Sequence, residues 1–341
     1  MSALVVQDCG PMTSLQDVGR IGSGRHGISR SGAMDRLALA AANALVGNPP
    51  GEGAIELMLA GAAFEAVDGP VRLALAGAAM AVTVDGAPVP ASTSILVPEG
   101  GRITIGPATA GIFGYLAVGG GLDVPPQLGS VSLQPRAGIG GIDGRALRPG
   151  DRLPVRTGAA AAEGDNSLPP VPLDPEAPIR VVLGPQDDLF PADAVEAFLR
   201  NPYTVSGEAD RMGYRLAGEP IAHLRGFNIV SDGLVQGSVQ VPGSGLPIVM
   251  MADHQTTGGY PKIATVISAD LRVLAQRRFG AQVQFEAVDV ATAQSIARER
   301  AAEIASLRER VQLVRGGLPG VEELLGLNLA GAATDALAET A

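Results

Sequence analysis

The feature of this sequence that most constrains its fold is a series of short apolar runs, separated by turn residues, across residues 54–155. Asp85-Gly86, a dipeptide typical of tight hairpins, stands between two of these runs. Strands at this spacing favour a closed or barrel-like antiparallel sheet over alternating βαβ units. The sequence therefore predicts a protein that is mainly β with some α. The predicted strands are 55–59, 71–76, 81–84, 95–97, 102–105 and 114–118.

Three segments have the residue pattern of a short helix. In the first half of the chain, 35–47 has Asp35 as a candidate cap. In the second half, 191–200 has a proline in its first turn, where proline is tolerated. A third helix is predicted at 271–276, with Asp270 as its cap. Each half therefore offers a strand, a helix and then a series of short strands.

A longer helix is predicted at 290–314, and its arginines and glutamates are expected to form a solvated face through pairs four residues apart. Residues rich in Ala, Gly, Pro and acidic side chains separate the two halves, which is typical of a linker. The predicted parts are a first β-barrel half (1–156), a linker (157–178), a second β-barrel half (179–289), and a C-terminal helix and tail (290–341).

Residues 251–266 form the stretch that the rest of the chain is expected to present. Its two ends are apolar and rich in branched residues, as strands are. A glycine pair in its middle lets the backbone turn sharply or approach a ligand closely. A polar hairpin connection is the simpler interpretation, but the lysine of this stretch is the only one in the chain, which favours a functional role. The polar middle contains Asp253, His254, Gln255, Thr256, Thr257, Gly258, Gly259, Tyr260 and Lys262.

Further polar groups stand in glycine-rich loops between the predicted strands. A carboxylate beside an arginine is more often a structural ion pair than a site. Several such clusters together nevertheless favour a binding site, because loops held by a rigid scaffold are where binding groups usually lie. The clusters are Gln16, Asp17 and Arg20; Arg30, Ser31 and Asp35; Asp210, Arg211 and Tyr214; and Gln236 with Gln240.

The composition argues against several classes of partner and site. A net charge of −10 without any basic block argues against nucleic acid. One cysteine, Cys9, leaves no cysteine-cluster metal site, and His26, His223 and His254 lack the spacing of metal ligands. The chain has neither an apolar run long enough to span a membrane nor a secretory signal at its start. We therefore expect a soluble cytoplasmic protein without a metal ion.

Three motifs of familiar enzymes are missing from the sequence. Without a Gly-x-Ser-x-Gly elbow, serine hydrolysis has no local support. Lys262 follows Pro261 rather than a glycine-rich loop, so ATP is not expected to bind through a phosphate loop. No Met-Lys-Met sequence is present at which biotin could be attached. We therefore expect no covalently bound cofactor in this chain.

Six motifs, in order along the chain, carry a resemblance to a known family. Over residues 3–290 the sequence resembles the allophanate hydrolase subunit 2 family, which includes C subunits of bacterial 5-oxoprolinase. The same module resembles part of the carboxyltransferase region of urea carboxylase. The amidase residues that hydrolyse allophanate are absent. The motifs are 13–20 (TSLQDVGR), 31–35 (SGAMD), 43–48, 210–216 (DRMGYRL), 237–242 and 252–262 (ADHQTTGGYPK).

This resemblance implies two cyclophilin-like β-barrel halves and a complex with a partner chain of the B type, from the allophanate hydrolase subunit 1 family. It leaves three functions open. The first is one subunit of an ATP-dependent 5-oxoprolinase, in which the A-type and B-type subunits are partners and the complex rather than this chain uses ATP. The second is a biotin-dependent carboxyltransferase that acts on urea or a similar amide. The third is a non-catalytic regulator that antagonises a kinase inhibitor.

The same side chains are candidates for both catalytic functions. By residue type, the candidates for catalysis are Asp35, Asp210, Asp253 and Lys262. In the sharpest form of this hypothesis, backbone amides of the glycine pair bind the carbonyl of a small amide or lactam, and Asp253 and Lys262 flank that substrate. The candidates for substrate binding are Gln16, Asp17, Arg20, Arg211, Tyr214, Gln236, Gln240, Gln255, Thr256, Thr257, Gly258, Gly259 and Tyr260.

Overall fold

The apolar runs of the first half form strands, as predicted. The computed structural model describes residues 2–156 and 164–314. All six predicted strands are present, with ends that shift by up to a few residues. The elements of the first half are β1 (Ala3–Cys9), β2 (Ser14–Gln16), a 3₁₀ turn (Ser23–His26), α1 (Arg36–Leu45), β3 (Ala54–Met58), β4 (Ala62–Val67), β5 (Val71–Ala79), β6 (Val82–Val84), β7 (Ala87–Val89), β8 (Ser94–Val97), β9 (Arg102–Ile105), β10 (Ala110–Val118) and β11 (Arg152–Pro154).

The hairpin between β6 and β7 is formed by the dipeptide that predicted it. Val84 pairs with Ala87, which leaves Asp85 and Gly86 as the two turn residues. Their φ angles are 49° and 84°, and a type I′ turn requires a positive φ at both positions. The local sequence therefore determines this connection.

The strands of the first half form two antiparallel sheets with one apolar core between them. Their strand orders are β11-β1-β4-β9-β6-β7 and β2-β3-β10-β5-β8. Leu4 and Phe64 from the first sheet pack with Ile55 and Leu116 from the second, and all four are fully buried. Burying a side chain of this size stabilises the fold by about 1.5–3 kcal/mol. We call this structure the first β unit.

The second half contains the remaining strands and three helices. Its elements are β12 (Asp165–Ser167), β13 (Ile179–Leu183), a 3₁₀ turn (Asp187–Leu189), α2 (Ala192–Arg200), β14 (Tyr203–Val205), β15 (Gly213–Ala217), β16 (Asp232–Gly233), β17 (Ser238–Gln240), β18 (Ile248–Met250), β19 (Thr257–Gly258), β20 (Lys262–Val266), α3 (Leu271–Ala275), β21 (Gln282–Val283), β22 (Phe285–Ala287), α4 (Val290–Ser306), a 3₁₀ turn (Leu307–Arg310) and β23 (Gln312–Val314).

Eight of these strands form one sheet in the order β21-β14-β15-β18-β17-β20-β13-β22. Only Gln284 separates β21 from β22 along the chain, yet these strands lie at opposite edges of the sheet. The sheet must therefore curl until its two edges almost meet. This nearly closed barrel, which we call the second β unit, confirms the predicted architecture of the second half.

Helix α1 joins the two β units. The Asp35 side chain caps it by accepting a hydrogen bond from the Ala38 amide at 3.0 Å, as predicted. Nine of its ten residues are buried, and five of the ten are alanines. Small side chains let this helix approach β5 and β10 closely on one side and α4 on another. One apolar core contains α1 together with strands of both β units, so the two units share a core through α1.

Helix α4 ends earlier than predicted. The chain leaves the helix after Ser306, and β23 occupies part of the segment that was expected to be helical. Asn166 pairs with Leu313 between β12 and β23, so a short ladder replaces the last helical turns. Helix α4 itself has no buried residue, which agrees with the predicted solvated face. Among the described residues no helix has both the length and the apolarity needed to cross a membrane.

The boundaries of the four predicted parts stay a prediction. Residues 157–163 of the predicted linker and 315–341 of the predicted tail lie outside the described residues. The expectation that Asp270 caps α3 is wrong.

Asp270 precedes α3, but its carboxylate instead accepts hydrogen bonds from the Arg180 side chain at 2.8 and 2.6 Å.

Candidate functional site

Lys262, the only lysine of the chain, begins β20, and its side chain is almost fully buried against β16. Its Nζ donates to the Asp232 carboxylate at 2.5 Å and to the Gly233 carbonyl at 3.0 Å. Gln186 donates to the same carboxylate at 3.1 Å and accepts the Lys262 backbone amide at 3.1 Å. We call these four residues the lysine cluster. They hold one positive charge in a fixed position.

The lysine cluster opens to solvent on the Asp232 side. The Lys262 side chain is 3% exposed, whereas that of Asp232 is 53% exposed. The hydrogen bond from Lys262 lowers the pKa of Asp232, followed by those from the Gly233 amide and Gln186. Asp232 is therefore an ionised partner of Lys262 that a substrate carboxylate could replace from solvent.

Gly258 lies beside this cluster and is paired with Asp232 between β16 and β19. A Cβ atom at Gly258 would lie 2.5 Å from Nε2 of Gln240 and 2.9 Å from Cδ1 of Leu234. Gln240 in turn donates to the Tyr260 carbonyl at 3.3 Å. Glycine is therefore needed here because a neighbouring amide side chain approaches the backbone closely. The sequence predicted such an approach but expected a ligand to make it.

The other predicted residues of this loop lie around the same small sheet. Thr257 is in β19 opposite Gly233, and Gln255 is exposed. The Thr256 and Gly259 carbonyls accept the Leu234 and Ile229 amides, both at 2.9 Å. Tyr260 is 39% exposed. The structure thus gathers Gln240, Gly258, Tyr260 and the lysine cluster at one accessible edge of the second β unit.

Asp253 belongs to a different group, the arginine cluster, which consists of Glu56, Tyr115, Arg211 and Asp253. Arg211 donates to both Asp253 oxygens, at 2.8 and 3.0 Å, and to the Glu56 carboxylate at 2.5 Å. Its Nη2 also donates to the Gly32 carbonyl at 2.9 Å. Glu56 accepts the Tyr115 hydroxyl at 2.7 Å. This cluster crosses from the first β unit to the second and is buried throughout.

The arginine cluster is a fully paired charge network. Burial alone lowers the pKa of Arg211, but the carboxylates of Asp253 and Glu56 reverse that effect, so its pKa is raised and it stays charged. Both oxygens of Asp253 accept hydrogen bonds from Arg211, so Asp253 could act as a base only after this pair opens. Asp253 and Lys262 therefore have separate partners, and the expectation that they flank one small amide-containing substrate stays a prediction.

Asp35 extends this network to α3. Its backbone amide donates to the Tyr115 hydroxyl at 2.8 Å. Its carboxylate accepts Nε of Arg272 at 3.1 Å and Nε2 of Gln276 at 3.1 Å, besides capping α1. Gln276 also accepts two backbone amides of β10, at 2.8 and 2.9 Å. The Asp35 carboxylate thus connects α1 to α3, and its catalytic role stays a prediction.

The Asp17 carboxylate holds a loop of the first β unit together. Its carboxylate accepts the hydroxyls of Ser130 and Ser132, both at 2.6 Å, and the amides of Gly19 and Val131 at 2.7 and 2.8 Å. These four bonds satisfy the carboxylate inside the protein. Asp17 therefore stabilises this loop, and its predicted role in substrate binding stays a prediction.

Arg20 and Gln16 are buried in the same loop region. Arg20 donates to the carbonyls of Gln127 and Ser132, and Gln16 donates to the Leu133 carbonyl at 3.4 Å. Within the described residues, Nη1 of Arg20, Oε1 of Gln16 and Oγ of Ser31 are buried without a hydrogen-bond partner. The Ser31 amide donates to the Ala252 carbonyl at 3.1 Å, which brings this loop against the stretch that contains Asp253.

Three predicted site residues lie elsewhere. Tyr214 is buried and donates to the Ala275 carbonyl at 2.7 Å, so it joins β15 to α3. Asp210 accepts the Met212 and Gly213 amides at 2.7 and 3.1 Å, which closes a turn. Gln236 lines a separate cavity. The structure therefore places these three residues away from the lysine cluster, and their roles in substrate binding or catalysis stay predictions.

Five residues that complete the two clusters were missed from the sequence: Glu56, Tyr115, Gln186, Asp232 and Gly233. Glu56 alone carried a signal, because a carboxylate within the apolar strand Ala54–Met58 requires a buried partner. Asp232 precedes a glycine and resembles any turn residue. Among the described residues, no group of three or more His, Cys, Asp or Glu side chains could hold a metal ion.

Comparison with known proteins agrees with this architecture. The family model of the carboxyltransferase domain, subdomain A and B, matches residues 26–287. The chain is 39% identical over 294 residues to the 5-oxoprolinase C subunit of Haemophilus influenzae, which covers 86% of this chain and 94% of that protein. It is 41% identical over 280 residues to the 5-oxoprolinase C subunit of Escherichia coli, which covers 81% of this chain and 88% of that protein.

A solved structure extends the comparison to larger proteins. The structure of the K. lactis urea amidolyase superposes with a TM-score of 0.82 at 27% identity and covers 89% of this chain. The chain spans only 20% of the length of that protein. Because the family model matches most of the sequence and two relatives match nearly from end to end, this chain belongs to the family of carboxyltransferase domains, subdomain A and B.

Proposed function

We propose that this chain is the C subunit of an ATP-dependent 5-oxoprolinase, which opens 5-oxoproline to glutamate together with subunits of the A and B types. The observation that carries the proposal is coverage. The chain spans 94% and 88% of two relatives named as the C subunit of 5-oxoprolinase, whereas it spans 20% of the urea amidolyase. The match therefore extends over almost the whole length of those two relatives, which supports the C subunit as the first candidate.

The proposed substrate is a small lactam that carries a carboxylate. Its hydrolysis breaks the ring C–N bond, adds a hydroxyl to the carbonyl carbon and adds a hydrogen to the nitrogen. A site for it needs a cation for the carboxylate and donors for the carbonyl. In our proposal, Lys262 binds the substrate carboxylate in place of Asp232, and the amide of Gln240 lies close by as a donor.

The partner subunits would supply the remaining chemistry. This sequence contains no phosphate loop that could bind ATP, so we assign ATP binding to another subunit. The carboxylates of the arginine cluster are already paired, so a free acid or base for the ring opening is also expected from the partners. The partly exposed Asp232 marks the side from which a partner would complete the site.

Reconstitution tests this proposal directly. The chain would be mixed with its partners of the A and B types, and glutamate release from 5-oxoproline would be measured with and without ATP. We expect activity only when all three chains and ATP are present. Release of glutamate at the full rate without this chain would contradict the proposal. A complete mixture that releases no glutamate would contradict it as well.

A carboxyltransferase is the second candidate, and the TM-score of 0.82 to the urea amidolyase favours it. In that reaction Lys262 would donate to an oxygen of carboxybiotin while a carboxyl group moves to an amide nitrogen. The same reconstituted complex would be given carboxybiotin and urea or a similar amide. A carboxylated amide without any glutamate from 5-oxoproline would favour this function over the first.

A further inference from the structure

A cavity with a volume of about 180 Å³ lies where α1, α3 and α4 meet. It shares no lining residue with the lysine cluster. Met34, Leu37, Leu271 and Ile304 contribute an apolar wall. A water molecule needs only about 10–15 Å³ by the same measure, so the cavity has room for an organic molecule.

Arg36 lines this cavity as the first residue of α1, a position where the helix dipole disfavours a positive charge. In the described segments of the chain, no carboxylate oxygen lies within 4.0 Å of its guanidinium nitrogens. Burial, and then the nearby charge of Arg30, lower the pKa of Arg36 to about 10. Arg36 is therefore still charged at neutral pH. A half-buried cation without a counter-charge is costly, which indicates that an anion completes it.

The other polar side chains of the cavity add hydrogen-bond donors without cancelling this charge. Arg300 is balanced by Glu303 at 2.6 Å, but its Nε is buried and has no partner among the residues described. Arg272 is balanced by Asp35 at 3.1 Å. Gln236 contributes an amide. The cavity therefore combines one uncompensated positive charge, unused donors and an apolar wall.

We propose that this cavity binds the carboxylate of an organic molecule with an apolar body. Arg36 is the ion-pair partner of the carboxylate, and Arg300 Nε and Gln236 are further donors. The apolar body packs against Met34, Leu37, Leu271 and Ile304. An inorganic anion fits less well, because its remaining oxygens would lose their hydration against that wall. This proposal does not rest on the lactam chemistry proposed above.

The carboxylate could belong to a free organic acid or to the C-terminus of a polypeptide, and titration calorimetry on the full chain separates the two. The probes are hexanoate, a leucine tetrapeptide with a free C-terminus, and the amides of both. Acetate tests whether the charge alone is enough. We expect each carboxylate probe that binds to have an affinity at least tenfold higher than that of its amide. Hexanoate is expected to bind more tightly than acetate.

Substitutions then locate the binding. Arg36→Met is expected to weaken binding at least tenfold and not to lower the melting temperature, since it removes an uncompensated charge. Gln236→Leu, which leaves α1 unchanged, is expected to weaken binding several-fold. Arg298→Met, on the exposed side of α4, is the matched control and should change nothing.

The outcomes are distinct. Tighter binding of hexanoate assigns the site to free acids, and tighter binding of the tetrapeptide assigns it to chain ends. If neither probe binds, if the amides bind as tightly as the acids, or if Arg36→Met binds like the unmodified chain, the proposal is overturned. None of these results depends on glutamate release, so failure here is separate from failure of the proposed function.

Discussion

Nη1 of Arg211 lies 2.5 Å from Oε1 of Glu56, and this contact joins two residues on different β units. The same guanidinium holds both oxygens of Asp253. One arginine thus forms ion pairs with two buried carboxylates at the boundary between the units. The polar stretch that contains Asp253 is therefore attached to the first β unit by charge as well as by apolar packing.

The first prediction concerns this contact. Arg211→Met leaves two carboxylates buried without a counter-charge, so it should lower the free energy of unfolding by about 3–5 kcal/mol. The measurement is urea denaturation. Arg215→Met is the control, because Arg215 forms an exposed pair with Glu208 at 3.3 Å and its loss should cost about 0.5 kcal/mol or less. If the free energy of unfolding falls equally in the two variants, the buried ion pairs of Arg211 stabilise the fold no more than an exposed pair does.

The second prediction separates Lys262 from Asp232. Lys262→Met should lower kcat/KM of the reconstituted complex at least about 100-fold, because the proposed site loses its cation. Asp232→Asn should lower KM by about two- to fivefold, since the competitor for Lys262 is neutralised. Steady-state kinetics of both variants decide it. If Asp232→Asn loses as much activity as Lys262→Met, then Asp232 is required and is not a competitor.

The third prediction uses the close approach at Gly258. Gly258→Ala would place Cβ 2.5 Å from Nε2 of Gln240, so that flexible side chain must move. We expect a melting temperature within about 3 °C of the unmodified chain and a loss of at least about tenfold in kcat/KM. Gly207→Ala is the control, since among the described residues no heavy atom beyond Gly207 and its two chain neighbours lies within 4 Å of the Cβ position there. Unchanged activity of Gly258→Ala would remove Gln240 from the proposed site.

The fourth prediction concerns His254. Burial lowers the pKa of His254 from 6.5, although the Gln255 carbonyl and Asp253 oppose this effect. Between pH 6.5 and the lower pKa of the folded state, the unfolded chain binds more protons than the folded chain. Stability should therefore fall as the pH falls through this window. Urea midpoints of the unmodified chain and His254→Gln would be compared from pH 7 downward.

A matched variant is available for that measurement. His26 is exposed, so His26→Gln should show the same pH dependence as the unmodified chain. His254→Gln should show a flatter one, because the titrating group is gone. If all three chains lose stability in parallel, other groups are responsible for the acid sensitivity.

Local features of the fold could be predicted from residues that are close together in the sequence. Asp85 and Gly86 form the predicted hairpin because both adopt a positive φ, and Asp35 caps α1 because its side chain reaches an amide three residues ahead. The end of α4 could not be read in this way. Its last predicted turns pair with residues 165–167, about 150 positions away, and that pairing is invisible in the local sequence.

The candidate site shows the same division. The sequence singled out Lys262 and the glycine pair by residue type and spacing, but it could not supply their partners. Asp232 is 30 positions from Lys262, and Glu56 is 155 positions from Arg211. Residue type also failed to separate free groups from satisfied ones, since Tyr214 and Asp210 bond to nearby backbone atoms instead.

By itself, the sequence determined the β-rich architecture, the turns and the helix starts, because these depend on hydrophobic period and on backbone preferences within a few residues. Only the tertiary structure decided which carboxylate meets which cation. Those pairings depend on how the barrel of the second β unit curls and on how α1 packs between the units. In the folded chain Asp253 pairs with Arg211, and Lys262 pairs with Asp232. Arg36 lines a cavity whose described residues contribute no counter-charge to it.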